Sequence, residues 1–269
     1  MEVEDSEIKQ EDCMESGGTP LAWAAYNGHE EVVEILLGRD DVDPDKPNDR
    51  GLTPLCCAAF SGHEGVVKML LRQGNVNADR ADDNGRTPLC WAAVHGHVGV
   101  VKILLGQGNV NPNKTDIHGR TPLWCAARNG HEGVVGALLR RSDVNPNKQS
   151  SFILTTRTPL GCAACYGHQG VVEMLLGRSD VDPNKIDRLG QTPLLCAARN
   201  GHEEVVKMLL GRDDVNSSKP DNSGRTPLQW ATERGHARVS ALLQLLESTT
   251  PSIAQGPRGI TLFTASKKI

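Results

Sequence analysis

The sequence is poor in aromatic residues and contains no long apolar segment. Phe, Trp and Tyr make up 3% of its 269 residues. No apolar run approaches the ~18 residues that a membrane-spanning helix requires, and the N-terminus lacks the basic and apolar regions of a secretory signal. These absences predict a cytoplasmic protein, or a nuclear one, that does not enter a membrane and has a core of small aliphatic side chains.

The charge balance is nearly even. Lysine and arginine number 29 and acidic residues 33, which gives a formal net charge of −4. Proteins that bind nucleic acids neutralise phosphates with clustered lysine and arginine, and the charge of the whole chain gives no general case for such a function. We therefore expect no nucleic-acid partner.

One short pattern is repeated seven times along the chain. Each copy contains Thr-Pro-Leu, and Gly-His begins nine residues after the threonine, as in Thr87 and Gly96-His97. The copies start at Thr19, Thr53, Thr87, Thr121, Thr158, Thr192 and Thr226. The spacing is 34 residues except for one interval of 37 before Thr158. A fixed period of this length indicates a stacked array in which each repeat buries its apolar face against the next.

Each repeat is predicted to form two short helices. A threonine caps the first helix, and the proline after it suits the first helical position because its missing N–H would be unpaired there anyway. A glycine such as Gly96 ends this helix in the left-handed conformation. The second helix then presents Val100, Val101 and Leu104 at helical spacing on one apolar face.

The pattern Gly-x-Thr-Pro-Leu-x-x-Ala-Ala-x-x-Gly-His-x-x-Val-Val-x-x-Leu-Leu resembles the ankyrin-repeat family over most of the chain. The resemblance implies an all-α fold, an α-solenoid of seven ankyrin repeats, each with a helix–turn–helix and a hairpin-like loop. The family usually has His directly after Thr-Pro-Leu, and the hydrogen bonds attributed to that His are not expected here. The column instead reads Ala22, Cys56, Cys90, Trp124, Gly161, Leu195 and Gln229.

We predict three segments: an acidic, disordered leader over residues 1–14, the repeat domain over residues 15–247 and a flexible tail over residues 248–269. The extra residues before Thr158 include Phe152-Ile153-Leu154, which is a partner anchor, a segment folded over the array or neutral variation. In the last repeat Ser240 and Gln244 replace Val and Leu, which predicts a polar cap that faces water.

The sequence offers no catalytic, metal-binding or cofactor-binding motif. The eight cysteines mostly recur at repeat positions, which favours buried thiols in a reducing compartment over disulfides. Cys162-x-x-Cys165-x-x-His168 has metal-like spacing but lacks a nearby fourth ligand. His29-Glu30 and its equivalents lack the second histidine of a zinc protease. We therefore expect no enzyme activity, no metal and no cofactor.

The resemblance also implies where a partner binds, because ankyrin arrays use their hairpin tips and the inner face of their first helices. The partner-binding candidates at these positions are Tyr26, Arg50, Phe60, Arg86, His95, Arg120, Arg128, Arg157, Tyr166, Arg188, Arg199 and Arg225. The arginines directly before Thr-Pro-Leu, Arg86, Arg120, Arg157 and Arg225, are expected to line one exposed rim. Such a rim would attract an acidic partner, unless the arginine is merely copied with each repeat.

These observations predict a monomeric, non-catalytic scaffold that binds a protein partner on its concave face, an acidic one if the arginine rim is functional. The alternative is a regulatory ankyrin array that belongs to a larger enzyme or an NTPase-type signalling receptor.

Overall fold

A computed structural model describes residues 17–151 and 156–249, and within these ranges the chain forms helices and loops without strands. The acidic leader, Cys13, Phe152-Ile153-Leu154 and the tail beyond residue 249 lie outside the described residues. The helices form seven consecutive pairs, which confirms the predicted all-α solenoid of seven repeats. They are α1 (Pro20–Asn27), α2 (Glu30–Leu37), α3 (Pro54–Ser61), α4 (Glu64–Leu71), α5 (Pro88–His95), α6 (Val98–Leu105), α7 (Pro122–Asn129), α8 (Glu132–Leu139), α9 (Pro159–Tyr166), α10 (Gln169–Leu176), α11 (Pro193–Asn200), α12 (Glu203–Leu210), α13 (Pro227–Glu233) and α14 (Ala237–Thr249).

The first helix of every pair begins as the sequence predicts. In α5, the Thr87 hydroxyl accepts a hydrogen bond of 3.2 Å from the Cys90 N–H, and Pro88 occupies the first turn. The other six threonines make the same bond. Because a cap of this kind typically contributes ~1 kcal/mol, the repeated threonine sets where each first helix starts.

The Gly-His pair joins each repeat to the one before it. Gly96 ends α5 with a φ of 79°, a conformation that glycine adopts without strain. A Cβ at Gly96 would lie 2.8 Å from Nδ1 of His131, the histidine of the following repeat. The Nε2 atom of that histidine is 2.9 Å from the carbonyl oxygen of Val94. The same bond recurs from His63, His97, His168, His202 and His236.

Five of the hairpin-like loops are closed by the side chain five residues before the threonine. Asp82 Oδ1 accepts hydrogen bonds from the N–H groups of Asn84 at 2.9 Å and Arg86 at 2.8 Å. Equivalent bonds are made by Asn48, Asp116, Asp187 and Asp221. Consecutive loops are then linked through the backbone, as where Asp83 N–H donates to the Arg50 carbonyl at 3.1 Å.

The first helices of neighbouring repeats pack more closely than the second helices. The stack therefore curves with its first helices on the inside, and these helices line a concave face. The small residues of the Ala-Ala pair, such as Ala92 and Ala93, are fully buried and permit this close approach. One continuous core of Leu, Val, Ala and Cys side chains runs through the array.

The last repeat corrects one detail of the predicted cap. Gln244 is exposed, as expected, but Ser240 is only 9% exposed. Its hydroxyl lies 3.3 Å from that of Thr232, so the polar atom is paired between α13 and α14 instead of facing water. The expectation for Ser240 is therefore wrong, because the serine fits into the core when a neighbouring hydroxyl partners it.

Candidate functional site

The concave face carries a row of aromatic side chains in its first three repeats. Tyr26 and Phe60 occupy the position seven residues after the starting threonine, and their ring centroids are 5.8 Å apart. The Phe60 ring is 4.3 Å from that of His95, which lies one position further along its own helix. We call Tyr26, Phe60 and His95 the aromatic row, and it offers a partner two half-buried rings and the exposed ring of His95 on a helical scaffold.

His95 is neutral at ordinary pH although its side chain reaches solvent. Desolvation by the surrounding side chains, and repulsion from His97, His131 and Arg86 whenever these are protonated, lower the pKa of His95 to about 4. The neutral ring can donate one hydrogen bond and accept another. The aromatic row therefore adds no positive charge to this half of the face.

The later repeats present arginines on the same face. Arg128 lies with its guanidinium carbon 5.6 Å from the Tyr166 ring centroid, and that of Arg199 is 4.8 Å from the Trp230 ring centroid. Arg234 lies 5.7 Å from the same tryptophan. We call Arg128, Arg199 and Arg234 the basic row. Stacking on aromatic rings holds planar guanidinium groups in place and does not use their N–H groups, because these point outward in the guanidinium plane.

Arg199 has the clearest unmet hydrogen-bonding capacity on this face. Its Nε atom is buried and has no acceptor among the described residues. A buried donor without an acceptor is costly, so a small shift of this side chain towards an incoming carboxylate would gain a hydrogen bond. Arg225 is different, because it is exposed but lies 3.4 Å from the Glu233 carboxylate.

The prediction of an exposed arginine rim is wrong for Arg86, Arg120 and Arg157. The three residues are only 9%, 6% and 8% exposed. They lie between adjacent hairpin loops, where the aspartate that closes a loop also attracts the guanidinium. Of the predicted column, Arg225 alone is exposed.

The individual contacts explain this burial. Arg120 Nε donates to Asp116 Oδ2 at 2.7 Å, and Arg86 Nε lies 3.9 Å from the same carboxylate oxygen. Arg157 Nε donates to Asp187 Oδ2 at 3.4 Å. Arg86 also stacks on Trp91 at 4.6 Å. Arg86 and Arg157 thus connect neighbouring repeats, and Arg120 pairs with the aspartate of its own loop. All three have a structural role.

The hairpin tips carry both charged and apolar side chains. Arg50 and Arg188 are exposed, as predicted, and so are the apolar side chains of Ile117 and Leu189, at 61% and 48%. Neither apolar residue was among the predicted binding residues. Their signal was available, because Ile117 and Leu189 occur in columns that elsewhere mostly hold polar or charged residues.

The opposite surface is more acidic. Glu30, Glu31, Glu34 and Glu204 are exposed on the second helices. Lysines offset part of this charge, as where Lys207 Nζ lies 2.7 Å from a Glu204 carboxylate oxygen. The array is thus polarised, with arginines on the inner face and carboxylates outside.

The described part of the chain offers no arrangement for metal chemistry. Within residues 17–151 and 156–249, no group of three or more His, Cys, Asp and Glu side chains could hold a metal ion. The seven cysteines in these ranges are present as thiols. Among the same residues, no helix is long and apolar enough to cross a membrane.

Comparison with known proteins agrees with the geometry. A family model described as "Ankyrin repeats (3 copies)" matches residues 3–80, 40–116, 75–150, 108–187 and 160–251. The structure is similar to the crystal structure of the human ASB11 ankyrin repeat domain, with a TM-score of 0.74 and 26% sequence identity. That similarity covers 84% of this chain and 97% of the other. No functionally curated protein matches the sequence.

Proposed function

Because the chain belongs to the ankyrin-repeat family, whose members generally mediate protein–protein interactions, we propose that it binds a protein partner along its concave face. The binding surface is formed by the aromatic row and the basic row. The array acts as a scaffold and does not catalyse a reaction on its partner.

The observation that carries this proposal is the buried, unpaired Nε of Arg199 beside the stacked guanidinium groups of the basic row. Their aromatic supports fix the donors in advance, so a carboxylate would lose little side-chain entropy on binding. We therefore propose an extended partner whose acidic segment lies along the basic row.

The aromatic row supports an apolar segment on the same partner. Tyr26 and Phe60 are half-buried, and their exposed edges lie on rigid helices. Aromatic side chains of this kind frequently supply much of the binding energy at protein interfaces. The partner would thus present apolar side chains to repeats one to three and carboxylates to repeats four to seven.

Comparative affinity capture from the source cells tests this function. The baits are the wild-type chain, an inner-face variant (Arg128→Glu, Arg199→Glu, Arg234→Glu) and a matched outer variant (Lys68→Glu, Lys102→Glu, Lys207→Glu). The matched lysines are exposed on second helices, so both variants undergo the same change in charge. We expect a specific protein that the wild type and the outer variant retain and the inner-face variant loses.

The opposite pattern would contradict the proposal. A partner retained by the inner-face variant and lost by the outer variant would place binding on the second helices. Circular dichroism of all three baits controls for loss of fold.

A second candidate function is favoured by the apolar surface of the first repeat. Trp23 is 43% exposed, Val32 43% and Ile35 69%. An additional element packed against these side chains would make the array a regulatory part of a larger enzyme or an NTPase-type signalling receptor. Sequencing the complete transcript tests this, since an in-frame stop codon directly upstream of Met1 would exclude an N-terminal extension.

A further inference from the structure

On the concave face, Cys165 occupies the position that carries Tyr26, Arg128 and Arg199 in other repeats. It lies near the end of α9 and is partly exposed. The other six cysteines in the described ranges are buried. Cys165 is therefore the one described thiol that a solute can reach in the folded array.

Two polar groups point at the sulfur of Cys165. Arg157 Nη1 donates to Cys165 Sγ at 3.1 Å, and Asn200 Nδ2 donates to it at 3.3 Å. The guanidinium cannot move away easily, because Arg157 is buried and its Nε is held by Asp187. A fixed cation and donors at a partly exposed sulfur favour the thiolate, which is the nucleophilic form.

A second sulfur lies directly behind this one. Cys196, on α11, is 2% exposed; its Sγ lies 3.7 Å from Gln191 Oε1, and its thiol also interacts with that of Cys165. The interaction with Cys165 and burial raise the pKa of Cys196 well above its usual range. The two thiols thus differ. The Cys165 thiol is partly exposed beside the Arg157 cation, and the Cys196 thiol is buried behind it and stays protonated.

We propose that Cys165 is a peroxide-reactive thiol and that Cys196 converts its oxidised form into a disulfide between repeats five and six. The Cys165 thiolate attacks hydrogen peroxide, which forms an S–O bond, breaks the O–O bond and leaves hydroxide with a sulfenic acid. The Cys196 sulfur then attacks the sulfenic sulfur, and hydroxide leaves and takes up the Cys196 proton as water. Two thiols are oxidised and one peroxide is reduced to two waters.

The array contains a natural comparison in Cys90 and Cys125. Their sulfurs are 3.8 Å apart, so they also form a close pair across adjacent repeats. These residues are only 1% and 4% exposed. Among the described residues, neither sulfur accepts a hydrogen bond from an arginine side chain. Proximity alone would oxidise both pairs, whereas the proposed mechanism oxidises only Cys165 and Cys196.

The test treats the full-length native chain with hydrogen peroxide, blocks remaining thiols by alkylation and maps every cysteine by mass spectrometry. We expect a Cys165–Cys196 disulfide that dithiothreitol reverses, with Cys90 and Cys125 recovered as thiols. In a Cys196→Ser variant, the sulfenic acid should persist on Cys165 and be trapped by dimedone.

The role of the guanidinium is tested with Arg157→Gln against Arg120→Gln, which removes a similarly buried arginine one repeat earlier. Loss of the cation should slow oxidation of Cys165 by about tenfold, since only a few per cent of an ordinary thiol is ionised at pH 7. The Arg120 variant should oxidise at the wild-type rate, and circular dichroism checks that both variants are folded. The proposal is overturned if Cys165 oxidises no faster than Cys90, if its disulfide partner is not Cys196, or if the two arginine variants behave alike.

Discussion

At the scale of single residues, the histidine of the Gly-His pair holds each repeat to its predecessor. Its ring reaches a carbonyl group near the end of the preceding first helix, a group that the helix itself leaves unpaired. The glycine of the preceding repeat has a positive φ, and it is also required because a Cβ at that position would clash with this ring. One dipeptide therefore serves both helix termination and stacking.

This role predicts unequal effects of the same substitution in different repeats. His97→Ala removes the 2.8 Å bond to the Phe60 carbonyl, which accepts no other side-chain hydrogen bond among the described residues. We expect a loss of about 1–2 kcal/mol in the free energy of unfolding, measured by urea denaturation. His29→Ala is the matched control, because His29 is exposed and its ring contacts only that of Trp23 in its own repeat, at 5.3 Å between centroids. Equal losses from both variants would show that the inter-repeat bond contributes nothing.

The buried arginines lead to a second comparison. Arg120→Gln leaves the Asp116 carboxylate buried without its closest cation, at 2.7 Å in the wild type. Breaking a buried pair in this way costs about 3–5 kcal/mol. Arg225→Gln breaks the exposed pair with Glu233, which is worth about 0–1 kcal/mol. In thermal unfolding, Arg120→Gln should have a clearly lower melting temperature than Arg225→Gln. Similar melting temperatures would mean that the pair with Asp116 does not stabilise the fold.

His95 provides a test by pH. Its pKa is lowered from 6.5 to about 4 in the folded chain, so below pH 6.5 the unfolded chain binds more protons at this residue than the folded chain does. Its contribution to stability is therefore complete above pH 6.5 and is lost as the pH falls toward 4. NMR titration should give a His95 pKa far below that of a His95 peptide, and His95→Gln should weaken the acid dependence of the unfolding midpoint. An unshifted titration would refute this account.

The sequence predicted the residues whose roles are local and misjudged those whose partners are distant. Thr87 could be identified as a cap because the groups it serves lie within three residues. The burial of Arg157 could not, since its acidic partner Asp187 lies 30 residues away in the next loop. Arginine is usually exposed, so the column looked like a surface feature. Repetition indicated that the position matters without indicating why.

At the scale of helices, each element depends on its neighbours. The first helices have seven or eight residues, too few to be stable alone in water. Loops also depend on the next repeat. Asn113 donates from Nδ2 to the Asp143 carbonyl in the next loop and accepts from the Asn145 N–H. This link to the next loop was not readable from the sequence, because it depends on how the repeats are stacked.

The last helix, α14, contains the residue that covers the end of the array. Gln244 is exposed where other repeats have a partly buried leucine that packs against the next repeat. Gln244→Leu should therefore enlarge the apolar end and promote self-association, measured by light scattering at rising concentration. Ser240→Val is the matched control: it adds apolar surface at a buried position and should leave the molecular mass unchanged. Association of the serine variant alone would contradict this description of the cap.

At the scale of the whole molecule, the concave face is divided along its length. Aromatic side chains with a neutral histidine lie in repeats one to three, and stacked arginines lie in repeats four to seven. Carboxylates on the outer helices add to the contrast between the two surfaces. The net charge of −4 concealed this pattern, since a sum over the chain carries no information on position. Such polarity favours association of an acidic segment in one orientation.

The most direct test of this account is the association rate of the captured partner with the inner-face and outer variants at low and high salt. We predict that reversing charge at Arg128, Arg199 and Arg234 lowers the rate at low salt by at least about tenfold, and that the difference shrinks as salt screens exposed charges. The outer variant, with Lys68, Lys102 and Lys207 reversed, should associate at close to the wild-type rate. Equal losses from both variants, or an unchanged rate for the inner-face variant, would contradict binding through the concave face.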